Sequence, residues 1–184
     1  MKIKNTKMEL PILQNDYNFN YQNELTSKLD AYKKKFNQNI INEIVLWKVN
    51  RYALLNEKTL KLLNSIKANE KKINIVKTKS VLSALINTKG IQLPMASTIL
   101  RFKNKFIYQI IDQRVYRLIY EGRELKSYYG SSREKINFQV DLYLKYLDDL
   151  RRVCIKEKIP FEQSDRILYK VDKRINKDKK IKNY

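Results

Sequence analysis

Residues 85–97 read Leu-Ile-Asn-Thr-Lys-Gly-Ile-Gln-Leu-Pro-Met-Ala-Ser, a stretch that is typical of two helices joined by a tight turn. Apolar residues end just before Gly90, a glycine in the place that a helix C-cap glycine occupies. Pro94 suits the first turn of a following helix, where a missing N–H costs nothing. We therefore expect residues 80–101 to form a helix–hairpin–helix unit. An ordinary αα-hairpin with a glycine cap has the same turn chemistry, and the turn alone favours that simpler interpretation.

Helical periodicity continues on both sides of this unit. Upstream, the spacing predicts three helices, with Asn39 as a cap of the second and Asn56 or Thr59 at the start of the third, followed by a charged loop over residues 69–79. Downstream, it predicts a helix that Asp112 caps, that runs to Tyr120 and that Gly122 terminates. It also predicts a long helix from Ser132 to about residue 156 and a last helix from Pro160.

No β-hairpin signature or repeat at solenoid spacing interrupts this pattern. The sequence therefore predicts an all-α helical bundle of two lobes around a central helix–hairpin–helix. We expect an irregular N-terminal arm over residues 1–20, one helical domain over residues 21–172 and a basic tail over residues 173–184.

Charge indicates the class of partner. The 184 residues include 39 Lys and Arg against 19 Asp and Glu, which gives a formal net charge of +20. An excess of this size points to a polyanion, most often nucleic acid. Apolar residues make up 43% of the chain, enough for a folded core.

Composition also excludes several kinds of chemistry. The chain has no His and one Cys, so disulfide frameworks, Ser-His or Cys-His nucleophile systems and four-cysteine clusters are ruled out. We expect no metal and no cofactor, and any catalysis must use carboxylates, Lys, Tyr or water. No apolar run is long enough for a membrane span, and no signal-peptide core follows residues 1–4. The sequence thus predicts a cytoplasmic, nucleoid-associated protein.

The order of the motifs resembles the helix–hairpin–helix DNA glycosylase superfamily. Gly90-Ile91-Gln92 matches the hairpin, Ala96 matches a small residue after the first turn of the second helix, and the run Ile110-Ile111-Asp112-Gln113-Arg114-Val115 matches an aspartate preceded by apolar residues. Position 94 corresponds to the superfamily's lysine position, and the separation of 112 − 94 = 18 agrees with its register. From the hairpin to residue 115 the resemblance rests on particular residues. Elsewhere it rests only on the presence of helices on both sides of the hairpin.

The resemblance implies a site that binds DNA and acts on one of its bases. The hairpin and the N–H groups near Leu93 would hold a DNA phosphate, and Asp112 would lie at the mouth of a base pocket. Pro94 stands where bifunctional members carry a Schiff-base lysine, which implies a monofunctional hydrolase without a lyase step. Gln92 departs from the pattern, because the superfamily has a second glycine there. The cluster cysteines of some members are missing, so no iron–sulfur cofactor is implied.

Three groups of side chains are candidates for these roles. Asp112 is the predicted catalytic acid. The predicted DNA contacts are Lys89, Gly90, Ile91, Gln92, Leu93, Lys48, Arg51, Arg101 and Lys103. The predicted base-pocket aromatics are Trp47, Tyr108, Tyr128 and Tyr129.

Each of these side chains also has a plain structural interpretation. Asp112 can be a simple helix N-cap, and Trp47 can be a core residue, which we consider the better of its two interpretations. Lys48 and Arg51 lie three residues apart on one predicted helix face, where they can be merely solvated. Arg114 and Arg117 follow Asp112 at the same spacing, and we expect one of them to pair with a carboxylate.

The leading hypothesis is a monomeric DNA glycosylase that flips a damaged or modified base out of double-stranded DNA and hydrolyses its N-glycosidic bond. Either repair or defence against modified phage DNA fits this activity. A non-catalytic DNA- or RNA-binding protein that keeps the hairpin is the alternative. A third hypothesis is a basic interaction protein with an acidic protein partner, which predicts no duplex binding at low salt.

Overall fold

Local side-chain caps determine where several helices begin. The side chains of Asn56, Asn74, Asp112 and Ser132 each accept a hydrogen bond from a backbone N–H two or three residues further along the chain. The predicted caps Asn56 and Asp112 are confirmed. The second helix begins two residues earlier than predicted, since the side chain of Asn37, rather than Asn39, accepts the N–H of Ile40.

The computed structural model describes residues 10–18, 23–49, 55–125, 132–179 and 181. Within these residues the chain is all-α, as predicted, with two short 3-10 helices at Gln14–Tyr17 and Phe161–Gln163 and no strand. The α-helices are α1 (Asn23–Ala31), α2 (Gln38–Val49), α3 (Glu57–Asn64), α4 (Ile75–Ile86), α5 (Leu93–Lys103), α6 (Gln113–Ile119), α7 (Arg133–Lys156) and α8 (Ser164–Ile175).

The expected loop over residues 69–79 is wrong in its second half, because α4 begins at Ile75. The first turn of α4 points Ile75 and Val76 to solvent, with Val76 77% exposed. The buried residue of that turn is the polar Thr78. Apolar periodicity is therefore absent where α4 begins, and the capping residue Asn74 is what marks the start of this helix in the sequence. The two hairpin helices accordingly span residues 75–103 rather than 80–101.

Buried apolar side chains from all eight helices form one continuous cluster. Helix α5 lies at its centre, and its contacts run to α2, α4 and α7. Ten of the eleven residues of α5 are buried, including the polar Ser97 and Thr98. This central helix thereby connects the hairpin to the rest of the core.

The last helix holds both α6 and the first described segment in place. Two arginines of α6 bind Asp172 of α8. The 3-10 helix at Gln14–Tyr17 packs on α8 as well, and Arg174 donates a hydrogen bond of 2.6 Å to Asp16. Part of the predicted N-terminal arm is thus structured, and α8 continues to Ile175, two residues beyond the start of the predicted tail.

Cys154 is the single cysteine of the chain and is buried on α7. Burial raises the pKa of its thiol to about 11, although a hydrogen bond with Ser164 acts in the opposite direction. The thiol is therefore protonated in the folded protein at neutral pH and behaves as a small core side chain.

Candidate acidic site beside the hairpin

A tight turn joins α4 to α5. The turn is closed by the N–H of Ile91, which donates to the carbonyl of Thr88 at 3.0 Å. Gly90 is its third residue and has a φ of +86°, in the left-handed region that favours glycine. The C-cap of α4 is Asn87, so Gly90 lies inside the turn rather than at the helix end as predicted.

The start of α5 has no side-chain cap. Gln92 occupies the N-cap position with extended backbone and accepts no hydrogen bond on its side chain, and Pro94 lies in the first turn as predicted. The side chains of Ile91 and Leu93 are buried, whereas Lys89 and Gly90 are exposed. The Ile91 N–H is used in closing the turn, so any anion contact here would use the backbone N–H of Leu93, which suits the positive end of a helix dipole.

Residues 104–111 lead from α5 through a turn to the acidic residue, and the backbone of the last part of this segment is fixed from two sides. On one side, Tyr143 and Tyr146 of α7 donate from their hydroxyls to the carbonyls of Gln109 and Ile110, at 2.9 and 2.8 Å. On the other side, the N–H of Ile111 donates to Ser97 Oγ of α5 at 3.1 Å. The residue before Asp112 is thus anchored directly to the second hairpin helix.

Complete burial raises the pKa of both tyrosine hydroxyls well above their usual value. They remain neutral donors at any physiological pH. Their spacing of three residues places them on one face of α7, so one helix turn supplies both anchors.

Asp112 caps α6 with one carboxylate oxygen, and its other oxygen takes no part in the cap. Its Oδ1 accepts the N–H groups of Arg114 and Val115 at 2.8 and 3.1 Å. Its Oδ2 lies 3.9 Å from Lys48 Nζ, and the Asp112 side chain is 20% exposed. The capping interpretation is therefore confirmed, and the second oxygen is still oriented toward a partly exposed surface.

Lys48 reaches this carboxylate from the last turn of α2. Its side chain is 23% exposed, close to the exposure of its acidic partner. The interpretation of Lys48 as a merely solvated cation is therefore incomplete, because the side chain forms an ion pair with the candidate acid. Both residues were candidates in the sequence, but no sequence pattern indicated that their side chains pair with each other.

The prediction that Arg101 contacts DNA is wrong. Arg101 is 1% exposed and donates to Asp30, with Asp165 Oδ2 3.6 Å from its Nε. Burial raises the pKa of Asp30, but the positive charges of Arg101 and Arg166 lower it, and the net shift is downward. The guanidinium thus stabilises the packing of α1 and α8 against α5.

Lys103 also does not present its charge to solvent. It is 8% exposed, its Nζ donates to Asn64 Oδ1 at 3.2 Å, and it lies 4.8 Å from the centre of the Phe36 ring. Burial lowers the pKa of this ammonium group. The prediction that Lys103 contacts DNA is therefore corrected, since the residue packs between α3 and Phe36, which lies in the connection from α1 to α2.

Two of the four predicted pocket aromatics belong to the core. Trp47 donates from Nε1 to Thr26 Oγ1 at 2.7 Å and packs edge-on against Phe102. Tyr108 is 1% exposed and shares a hydrogen bond of 2.7 Å with the hydroxyl of Thr78. Neither ring is open to a flipped base, so the prediction is wrong for both, and the core interpretation of Trp47 is confirmed.

Arg51, Tyr128 and Tyr129 lie outside the described residues. Arg114 and Arg117 both form an ion pair with Asp172, whereas we expected only one of the two arginines to pair with a carboxylate. Asp149 of α7 is buried, accepts a hydrogen bond of 2.7 Å from Tyr120 and forms an ion pair of 2.8 Å with Lys145.

The comparisons with known proteins return nothing that bears on this site. No family model, no curated protein and no solved structure matches the chain. Among the described residues, no cluster of three or more His, Cys, Asp or Glu side chains is arranged to hold a metal ion. Within the same ranges, no helix has the length and apolar character that crossing a bilayer requires.

Proposed function

We propose that the protein binds double-stranded DNA through the α4–α5 hairpin and hydrolyses the N-glycosidic bond of a damaged or modified base beside Asp112. The observation that carries this proposal is the hydrogen bond from the Ile111 N–H to Ser97 Oγ. It ties the backbone next to the acid to the helix whose N-terminus faces the hairpin turn. A phosphate held at that turn would bring a deoxyribose of the same strand near the carboxylate.

The chemistry fits a fixed carboxylate. Breaking an N-glycosidic bond develops positive charge on the sugar, and a preorganised anion stabilises that charge. Asp112 Oδ1 is fixed by two backbone N–H groups, so Oδ2 can face the sugar without reorganisation of the loop. The same oxygen can orient a water molecule for attack on C1′ or accept a proton from it.

Substitution of Asp112 by Asn separates capping from catalysis, because Asn and Asp cap helices about equally well. We expect Asp112→Asn to keep the fold and duplex affinity while base release falls by about 10²–10³-fold, the usual effect of removing one charge-stabilising group. Asp141→Asn is the matched control, since Asp141 is an exposed acid paired with Lys79 on the surface of α7. The readout is mass spectrometry of bases freed from a panel of damaged and phage-modified duplexes.

A second candidate function is nucleic-acid binding without catalysis. The burial of Trp47 and Tyr108 favours it, because neither ring can receive a flipped base. This candidate predicts that the wild-type protein binds duplex DNA with a steep salt dependence but frees no base from any duplex of the panel. Absence of duplex binding at low salt would contradict both candidates and favour an acidic protein partner.

A further inference from the structure

A cluster of lysines lies at the end of the bundle opposite the hairpin turn. The connection from α1 to α2 (residues 32–37) and the connection from α3 to α4 (residues 65–74) carry six exposed lysines, namely Lys33, Lys34, Lys35, Lys67, Lys71 and Lys72. We call these six side chains the lysine end. Within the part of the chain that the structure describes, none of the six forms an ion pair with a carboxylate.

Two asparagine side chains hold these connections in place. Asn64 accepts the N–H of Phe36 at 2.8 Å and donates to the carbonyl of the same residue at 2.9 Å. Asn104, which directly follows α5, donates to the carbonyls of Lys67 and Glu70 at 2.8 and 2.9 Å. The lysines therefore project from backbone that is fixed before any partner arrives, which lowers the entropy cost of binding.

The nearby acids are neutralised by other residues. Glu70 is the one acid in the two connections, and its Oε1 lies 3.3 Å from Lys77 Nζ of α4. Asp30, in the last turn of α1, binds Arg101 and Arg166. Neither carboxylate offsets the charge of the lysine end, so this surface is strongly positive.

Helix dipoles explain part of the cluster but not all of it. Lys33 and Lys67 follow the ends of α1 and α3 by two and three residues, where a positive charge is favourable. Lys71 and Lys72 lie just before the start of α4, where the dipole favours a negative charge. Residues 33–35 are three successive lysines and repel one another. An external anion would relieve both unfavourable arrangements.

The aromatic rings of this region favour duplex over single-stranded nucleic acid. Tyr32 is half-buried and donates to the carbonyl of Lys35 at 3.0 Å, and Phe36 is buried. Lys71 Nζ covers the ring of Phe106, 3.1 Å from its centre. Proteins bind single strands by stacking bases on open aromatic rings, and these three rings are engaged with the protein itself. The lysines suit the phosphates of a duplex, which need no stacking surface.

We propose that the lysine end binds the phosphate backbone of a second DNA duplex, so that one chain holds two DNA segments at once. The first segment, at the hairpin, rests on the proposed function, whereas the lysine end does not. Helix α5 runs from the turn to Asn104, and its eleven residues separate the two surfaces by about 16 Å. A duplex resists bending over lengths below about 150 base pairs, so one short duplex cannot turn from one end of the bundle to the other.

The test uses the full chain, a short duplex fixed to beads and a second short duplex that is fluorescent and free in solution. We expect the wild-type protein to carry the fluorescent duplex to the beads. The double variant Lys34→Gln, Lys72→Gln removes one lysine from each connection and should still bind the beads but capture less of the second duplex. The slope of log affinity against log salt should become smaller by about 1.8, because each lost phosphate contact contributes about 0.9.

Lys79→Gln, Arg152→Gln is the matched control, because it removes the same two charges from exposed ion pairs on α4 and α7. It should capture the second duplex as the wild-type protein does. Unchanged capture by the Lys34 and Lys72 variant, an equal loss in the control, or equal capture of a single strand would each overturn the proposal. Light scattering must show one chain per complex, since capture by a dimer of chains would also overturn it.

The two proposals fail in different ways. Base release that depends on Asp112, without capture of a second duplex, would retain the proposed function and reject the role of the lysine end. Duplex binding that depends on Lys34 and Lys72 but is unchanged in Gly90→Ala would reject the hairpin as a DNA surface, and with it the proposed function. Circular dichroism checks that each variant is folded.

Discussion

Arg117 and Asp172 join α6 to α8 through two parallel hydrogen bonds, Nε to Oδ1 and Nη2 to Oδ2, each 2.7 Å long. The side chain of Asp172 is fully buried, and Arg114 and Asn176 donate to the same carboxylate at 3.2 and 2.8 Å. The hydrogen bond with Asp172 raises the pKa of Arg117, burial lowers it, and the net shift is upward. This pair holds the helix that Asp112 caps.

Removal of the Asp172 carboxylate should destabilise the fold strongly. Asp172→Ala leaves the Arg117 charge buried without its partner, and breaking one side of a buried pair costs about 3–5 kcal/mol of unfolding free energy. Asp148→Ala is the control, because the Arg152–Asp148 pair is largely exposed and such a pair contributes about 0–1 kcal/mol. Urea denaturation measures both, and equal losses for the two variants would contradict the assignment.

Ser97→Ala should affect the acidic site more than it affects folding. The substitution removes the acceptor for the buried Ile111 N–H, and an unsatisfied buried donor costs about 1–3 kcal/mol. Because that bond also fixes the residue next to Asp112, we expect base release to fall while duplex binding is retained. Ser80→Ala is the control on the exposed face of α4, where the hydroxyl donates to the carbonyl of Val76 in the preceding turn. Unchanged base release by Ser97→Ala would show that the anchor is dispensable.

Gly90→Ala should weaken duplex binding. Gly90 has a φ of +86°, and a left-handed backbone costs a side-chain-bearing residue about 1–2 kcal/mol. Gly122→Ala introduces the same kind of backbone strain, at a φ of +80° with open space around the added Cβ, but beyond the end of α6. We expect similar losses of stability for the two variants and a lower duplex affinity only for Gly90→Ala, measured by fluorescence anisotropy. Equal affinities would exclude the turn from the DNA interface.

Stability should fall above about pH 9, because the pKa of Cys154 rises from 9.0 to about 11 on folding. Above pH 9 the unfolded chain releases the thiol proton while the folded protein retains it, so the unfolded state binds fewer protons and is favoured as the pH rises. Burial shifts the pKa of Tyr120, Tyr143 and Tyr146 in the same direction. Cys154→Ala should therefore show a shallower loss of stability between pH 9 and 11 in urea titrations. An unchanged slope would contradict the contribution of the thiol.

The fold class and several helix ends could be predicted because they depend on local chemistry. Asn56, Asp112 and Ser132 accept N–H groups two or three residues away, so the capping signal is contained in a short stretch of sequence. The start of α4 was missed, since its first turn is exposed and shows no apolar face.

The side-chain roles were harder to predict because they depend on distant partners. An arginine such as Arg101 is a residue type suited to a phosphate contact. In the fold, however, Arg101 is buried and donates to Asp30, which lies 71 residues away in sequence. The same limit applies to the Lys48–Asp112 pair, since the two residues belong to helices far apart in sequence, at the end of α2 and the start of α6. The anchors on α7 carried a weak signal, namely two tyrosines three residues apart on an amphipathic helix.

The contacts between the first described segment and α8 have a consequence for synthesis of the chain. Lys170 donates to the carbonyl of Asn15 and Arg174 donates to Asp16, while the N–H of Leu10 donates to Glu157 at the end of α7. Translation delivers residues 10–18 long before α8 exists, so this segment has no docking surface while the intervening helices emerge from the ribosome. Its docking on α8 can only follow the synthesis of that helix, and because contacts between distant residues form slowly, it belongs to the late phase of folding.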